Sequence, residues 1–200
     1  MFLGRTPSLQ AREPFYETHD VGVLGLADDE CWAAFGPPDY RQVTHQTISL
    51  GSAGLRVFVN TELKAATDRL KRVLIQSEPE FREALQLLHL TPFPLIQPKQ
   101  SLQPFELVLE ERTQLRPKVY KYTRKMRLHS SMLVEATGDV VWRAFAQTVD
   151  RLPLPYLRIE RIVPAARLLE LSKRDPREAV QCVVEILRTN HAVVNLLNES

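Results

Sequence analysis

Residues 42–59, QVTHQTISLGSAGLRVFV, carry the reading that decides the fold. Two short runs, Gln42 to Ser49 and Leu55 to Val59, are rich in valine, isoleucine, threonine and phenylalanine, side chains that suit a pleated, half-buried surface. Between them stands Gly51-Ser52-Ala53-Gly54, a turn composition, so the segment predicts two antiparallel strands. The period then changes. Leu63, Ala66, Leu70, Val73 and Leu74 recur at helical spacing behind Asn60, which the sequence offers as a cap. Ser77-Glu78-Pro79-Glu80 reads as a capping box with proline in the first turn, and Phe81, Ala84, Leu85 and Leu88 follow on one face of a second helix.

Further along, Pro92, Pro94, Pro98 and Pro104 break regular structure and predict an exposed loop. Phe105 to Leu109, Val119 to Leu128 and Met132 to Ala136 read as strands, with a turn at Gly138-Asp139. Val140 to Val149 supports two readings. In period 2 it is a strand closing a hairpin, which its β-branched and aromatic content favours; in period 3.6, Val141, Phe145 and Val149 form a stripe behind an Asp139 cap. Leu157 to Val163 predicts another strand. Asp175-Pro176-Arg177-Glu178 opens a C-terminal helix running through Val180, Val183, Val184, Leu187, Val194 and Leu197. Runs of strands mixed with helices imply an α+β domain over residues 42–200, an antiparallel sheet with helices packed on it.

Upstream, residues 1–41 show no sustained period and are expected to form a disordered or loosely attached arm. The arm ends in Pro37-Pro38-Asp39-Tyr40, behind Asp28-Asp29-Glu30 and Trp32. Consecutive prolines hold an extended polyproline II backbone, so little ordering entropy is lost when an aromatic groove takes the rings. Pro-Pro-x-Tyr is the ligand pattern of WW domains, with Pro37, Pro38 and Tyr40 as the contacts. The competing reading is a proline-bounded turn.

Composition narrows the chemistry. With 44% hydrophobic and 25% charged residues, the 200-residue chain has the make-up of an ordinary globular protein with a net charge of +2. It holds no apolar run long enough to span a bilayer, so membrane contact is expected to be peripheral. Cys31 and Cys182 stand far apart, which excludes a disulfide framework or cysteine zinc site and suits a reducing compartment. Charge is concentrated between positions 112 and 127, where Arg112, Arg116, Lys118, Lys121, Arg124, Lys125 and Arg127 occur without an acidic residue. Such a run suits anionic lipid or a phosphate backbone. Alternatively it is a solvated strand face balanced by Glu106, Glu110 and Glu111 on a neighbouring strand.

Catalytic apparatus is not evident. His19, His45, His89, His129 and His191 lack metal-ligand spacing, and no phosphate-binding glycine loop occurs. His129 before Ser130-Ser131 lacks the glycines of a nucleophile elbow and reads as a partly buried histidine at a strand end. Adjacent Glu110 and Glu111 point to opposite faces of a strand and cannot pair across a substrate. The expectation is no enzyme, no metal and no cofactor. The alternatives are a START-like or hotdog domain binding a small molecule or lipid, or acting on a thioester, and a cellular WW-binding adaptor. Met132 to Val149 fits either of those folds, although Glu62, Glu80 and Glu83 sit in no recognisable motif.

The acidic run Asp28-Asp29-Glu30, Trp32 and Pro37-Pro38-Asp39-Tyr40 together resemble the N-terminal arm of rhabdovirus matrix proteins, in particular the lyssavirus type. The later order of strand, helix, helix and strands is also similar to that family's core. The resemblance implies a viral matrix protein that links the envelope's inner leaflet to the nucleocapsid and self-associates. It further implies a late-budding motif that recruits a host WW-domain ubiquitin ligase of the Nedd4 type, and through it the ESCRT machinery. The basic run from Arg112 to Arg127 would meet anionic membrane or nucleocapsid. Localisation would be the virion beneath its envelope, and in the host cell the cytoplasm and inner membrane face.

Overall fold

The computed structural model describes residues 21–27, 30–36, 39–90, 105–116, 119–134 and 138–199. Among the described residues seven strands form one sheet: β1 (Val21–Ala27), β2 (Glu30–Gly36), β3 (His45–Gly51), β4 (Gly54–Thr61), β5 (Glu106–Arg116), β6 (Val119–His129) and β7 (Pro155–Pro164). Their spatial order is β1-β2-β3-β4-β7-β5-β6, and every neighbouring pair is antiparallel. The first four strands are a meander and β5–β6 is a hairpin. Only β7 joins the two, pairing Gly54–Thr61 on one side and Glu106–Glu111 on the other. The α+β class expected from the sequence is the architecture observed.

The β3–β4 turn explains itself through Gly54, whose φ is 124°. A side chain there would be strained by that φ, and its Cβ would lie 2.3 Å from the Val163 carbonyl of β7.

The described α-helices lie on one face. α1 (Lys64–Gln76), α2 (Glu78–Leu90), α4 (Gly138–Arg151) and α7 (His191–Glu199) cover β4, β7, β5 and β6 with a core that includes Leu70, Phe81, Leu107, Phe145 and Ile159. Trp142 packs between Phe81 and Phe145, with ring centroids 5.6 and 5.4 Å away. A second cluster, Leu55, Val57, Val163, Leu171, Cys182 and Ile186, seats α5 (Ala165–Arg174) and α6 (Pro176–Thr189) toward the β3 end. α3 (Ser130–Val134) is a short link after β6.

Several elements differ from the sequence expectation. Residues 21–36, assigned to a loosely attached arm, supply β1 and β2, so the sheet starts before position 42; the arm's residues 1–20 lie outside the described residues. The proline loop also lies outside them. Val140 to Val149 belongs to helix α4, not to a strand: Trp142, Phe145, Val149 and Leu152 are buried while Val140 is exposed, and burial at this spacing overrides β propensity. The strand expected at Met132 to Ala136 is not formed by its described part, since Met132 to Val134 belongs to helix α3. Asn60 does not cap α1 but sits inside β4, and α5 was not anticipated.

The C-terminal helix is interrupted by buried Asn190, and the interruption is bonded to β3. Asn190 Nδ2 donates to Gln46 Oε1 (3.2 Å), and Gln46 Nε2 donates to the Leu187 carbonyl (3.2 Å). Asn198 then clasps Thr44 as a strand would, accepting from its N–H (2.8 Å) and donating to its carbonyl (2.9 Å). The Asp175 carboxylate caps α6 by accepting from Arg177 N at 2.9 Å.

In urea denaturation, Phe145→Ala should lower the unfolding free energy by about 3–5 kcal/mol. Asp175→Ala, which removes one cap, should cost about 1 kcal/mol. A larger effect for Asp175 than for Phe145 would contradict this core.

Candidate functional site

The strand alternation that sends Leu55, Val57 and Val59 toward the helices sends Arg56, Phe58 and Asn60 to the opposite face, and among the described residues no helix covers it. There β2, β3, β4 and β7 enclose a cavity of about 390 Å³. Trp32, Tyr40, Phe58 and Tyr156 supply its aromatic walls, and Arg41, Arg56, Arg158 and Glu62 its charged ones.

The floor is a closed hydrogen-bond network centred on Asn60. Its amide donates to Thr47 Oγ1 (2.8 Å) and lies 3.3 Å from His45 Nε2, while Oδ1 accepts from the Tyr156 hydroxyl (3.2 Å). His45 Nδ1 lies 3.2 Å from the Val43 carbonyl, so Nδ1 carries the proton and Nε2 accepts from Asn60. Burial pushes the His45 pKa below its ordinary value, which keeps the imidazole neutral in this role. Burial likewise pushes up the Tyr40, Tyr122 and Tyr156 phenols, which therefore remain protonated donors.

Each lining arginine has a carboxylate beside it. Arg41 pairs with Glu62, a hydrogen bond that raises the Arg41 pKa. Arg56 lies 3.6 Å from Glu160 and Arg158 lies 3.4 Å from Glu110. The last two contacts are longer than a good charge-assisted hydrogen bond. Glu160 and Glu110 do not line the cavity, so its wall presents three arginines and one glutamate.

Tyr40 opens the 3-10 turn Tyr40–Gln42 on the cavity rim. Its half-buried ring meets His45 edge-on at 4.8 Å between centroids. Gly36 makes room for it, since a Cβ on Gly36 would lie 2.7 Å from Tyr40 Cβ. Asp39 is exposed; Pro37 and Pro38 lie outside the described residues.

The basic run divides. Arg112 is buried: its Nη1 donates to the Glu62 carbonyl (2.5 Å), and its guanidinium lies 3.6 Å from the Tyr120 ring centroid. Lys125 pairs with Glu111 (2.7 Å) and Arg127 with Glu106 through Nε (2.7 Å). Arg116, Lys121 and Arg124 are exposed, with no side-chain hydrogen bond or ion pair among the described residues; Lys118 lies outside them. Cross-strand pairing puts Arg124 opposite Glu110, Arg112 opposite Tyr122 and Glu110 opposite Tyr156, so these share the cavity's face. Lys121, opposite Thr113, faces the other way. Two of the three acidic partners expected from the sequence, Glu106 and Glu111, thus balance the run, while Glu110 pairs with Arg158 of β7.

His129 is exposed rather than partly buried, its Nδ1 2.8 Å from Ser131 Oγ, and His89 contacts buried Ser130 at 2.8 Å. Among the described residues no histidine, cysteine and carboxylate cluster has metal-binding geometry, and no helix is long and apolar enough to cross a membrane. The sequence reading missed Arg56, Phe58, Tyr156 and Arg158 as site residues. The alternation within LRVFVN (55–60) carried the signal, polar or aromatic at even positions and aliphatic at odd.

The folded His45 pKa lies below the unfolded value of about 6.5. Its stabilising contribution is therefore complete above that value and lost as pH falls through it. The urea midpoint should drop between about pH 8 and pH 5, and drop less in His45→Phe. Identical drops in the two proteins would exclude His45 as the group responsible.

No family model, no curated protein and no solved structure matches the chain.

Proposed function

We propose that this is a peripheral assembly protein of the viral matrix type, acting by docking rather than by catalysis. One observation carries the reading: Tyr40, the last residue of the WW-domain ligand sequence Pro37-Pro38-Asp39-Tyr40, opens the turn Tyr40–Gln42 on the rim of the folded sheet. A WW groove takes the two prolines and the Tyr40 ring, exchanging the ring's edge contact with His45 for the partner's aromatic surface. The partner is a host ubiquitin ligase that leads to the ESCRT scission machinery.

The exposed cations Arg116, Lys121 and Arg124 on the β5–β6 hairpin support contact with anionic inner leaflet or nucleocapsid. At about 1 kcal/mol per cation near a membrane surface, a single copy binds weakly, so self-association must multiply the contacts.

Release of virus-like particles from cells expressing the chain alone tests this. Pro38→Ala should reduce release several-fold at unchanged expression and unfolding midpoint. Tyr40→Ala should do the same, but it also removes the contact with His45, so Pro38→Ala is the decisive variant. Equal release by Pro38→Ala and wild type would overturn the late-motif role.

A further inference from the structure

We propose that the helix-free face of the sheet is a binding platform for single-stranded nucleic acid, with one nucleotide seated in the cavity and the strand continuing over the root of the β5–β6 hairpin. This does not depend on the late-motif reading.

Shape comes first. Sequence-tolerant recognition of single strands uses an open sheet that presents aromatic rings to bases and cations to phosphates. Here the cavity, at about 390 Å³, lies within the range of small-ligand sites, about 300–1,000 Å³. Trp32, Tyr40, Phe58 and Tyr156 all line it. The aromatic surface does not stop at the wall: Tyr122, 42% exposed on β6, continues from Tyr156 at 5.0 Å between centroids.

Charge points the same way. Arg158 lies 3.4 Å from Glu110, longer than a good charge-assisted hydrogen bond, and it shares the cavity lining with Arg41, Arg56 and Glu62. At the junction between cavity and hairpin lies Arg112, 3% exposed, whose Nε and Nη2 have no hydrogen-bond partner among the described residues. Buried guanidinium donors left without an acceptor are costly, and an anionic oxygen satisfies them. Beyond it, exposed Arg124 extends the positive track on the cavity's own face. Aromatic rings and cations thus share one surface, which suits a ligand made of bases and phosphates. Duplex, whose bases are stacked internally, cannot use the rings.

The molecule supplies its own reporter. It has two tryptophans: Trp32 lines the cavity, and Trp142 is 2% exposed in the core. A fluorescein-labelled oligouridylate of about 12 nucleotides should bind the full chain at low salt, raise the label's anisotropy and, unlabelled, quench Trp32 fluorescence. Trp32→Phe should abolish the quenching. Tyr122→Ala, at an exposed edge-strand position, should weaken binding at least about fivefold, the loss of one stacked base. Arg124→Gln should flatten the plot of log affinity against log salt by about 0.7. Pro38→Ala should bind as wild type does. Absence of binding would overturn the proposal. So would binding that neither quenches Trp32 nor responds to Tyr122→Ala, tighter binding to a duplex of equal length, or binding confined to phosphatidylserine vesicles.

Discussion

Everything in this fold depends on β7 being inserted between β4 and β5. Among the described residues the N-terminal meander and the β5–β6 hairpin share no strand pairing except through this segment. Its odd positions, Leu157, Ile159 and Val163, complete both hydrophobic clusters, while Tyr156 and Arg158 complete the cavity on the other side. One strand therefore closes the core and the candidate site in the same step. Because β7 pairs with residues about a hundred positions upstream, loop closure precedes most of the stabilising contacts, a topology associated with slow folding.

Buried polar groups tune how that closure is made. Arg161, on the helix side of β7, is 4% exposed and bonds to the Leu88 carbonyl at the C-terminal end of α2, where the helix dipole favours a cation. Burial lowers its pKa to about 10, leaving it charged at neutral pH. Gln46, Asn190 and Asn198 perform a comparable task at the other end of the sheet, where they fasten α6 and α7 to β3 and its approach. Groups of this kind add little net stability when satisfied but penalise any packing that leaves them unsatisfied.

How much of this was legible depended on whether the deciding information was local. The β3–β4 hairpin and both central helices were readable from turn composition and apolar spacing, and α6 from its Asp175 cap, whereas the cap offered by Asn60 misplaced the start of α1. Val140 to Val149 misled because valines and aromatics favour strands locally, while Trp142 and Phe145 are held in a helix by partners such as Phe81. β1 and β2 were invisible as strands because their stabilisation is pairing with one another and with β3, not any period of their own. The site was least legible. Tyr40 and the basic run were flagged as linear patterns, but the convergence of Asn60, His45 and Tyr156 requires three strands to be in register.

The contact of Tyr40 with His45 places an unusual restraint on how the chain can vary over generations. Short recognition sequences usually lie in free tails, where they can migrate, duplicate or vanish without disturbing the domain they serve. Here the tyrosine of the proposed WW ligand also packs edge-on against a histidine that burial keeps neutral, and Gly36 is kept small beneath it. The motif cannot slide along the chain without uncovering that histidine. Lineages carrying this fold should therefore retain an aromatic ring at this position even where the prolines ahead of it are lost.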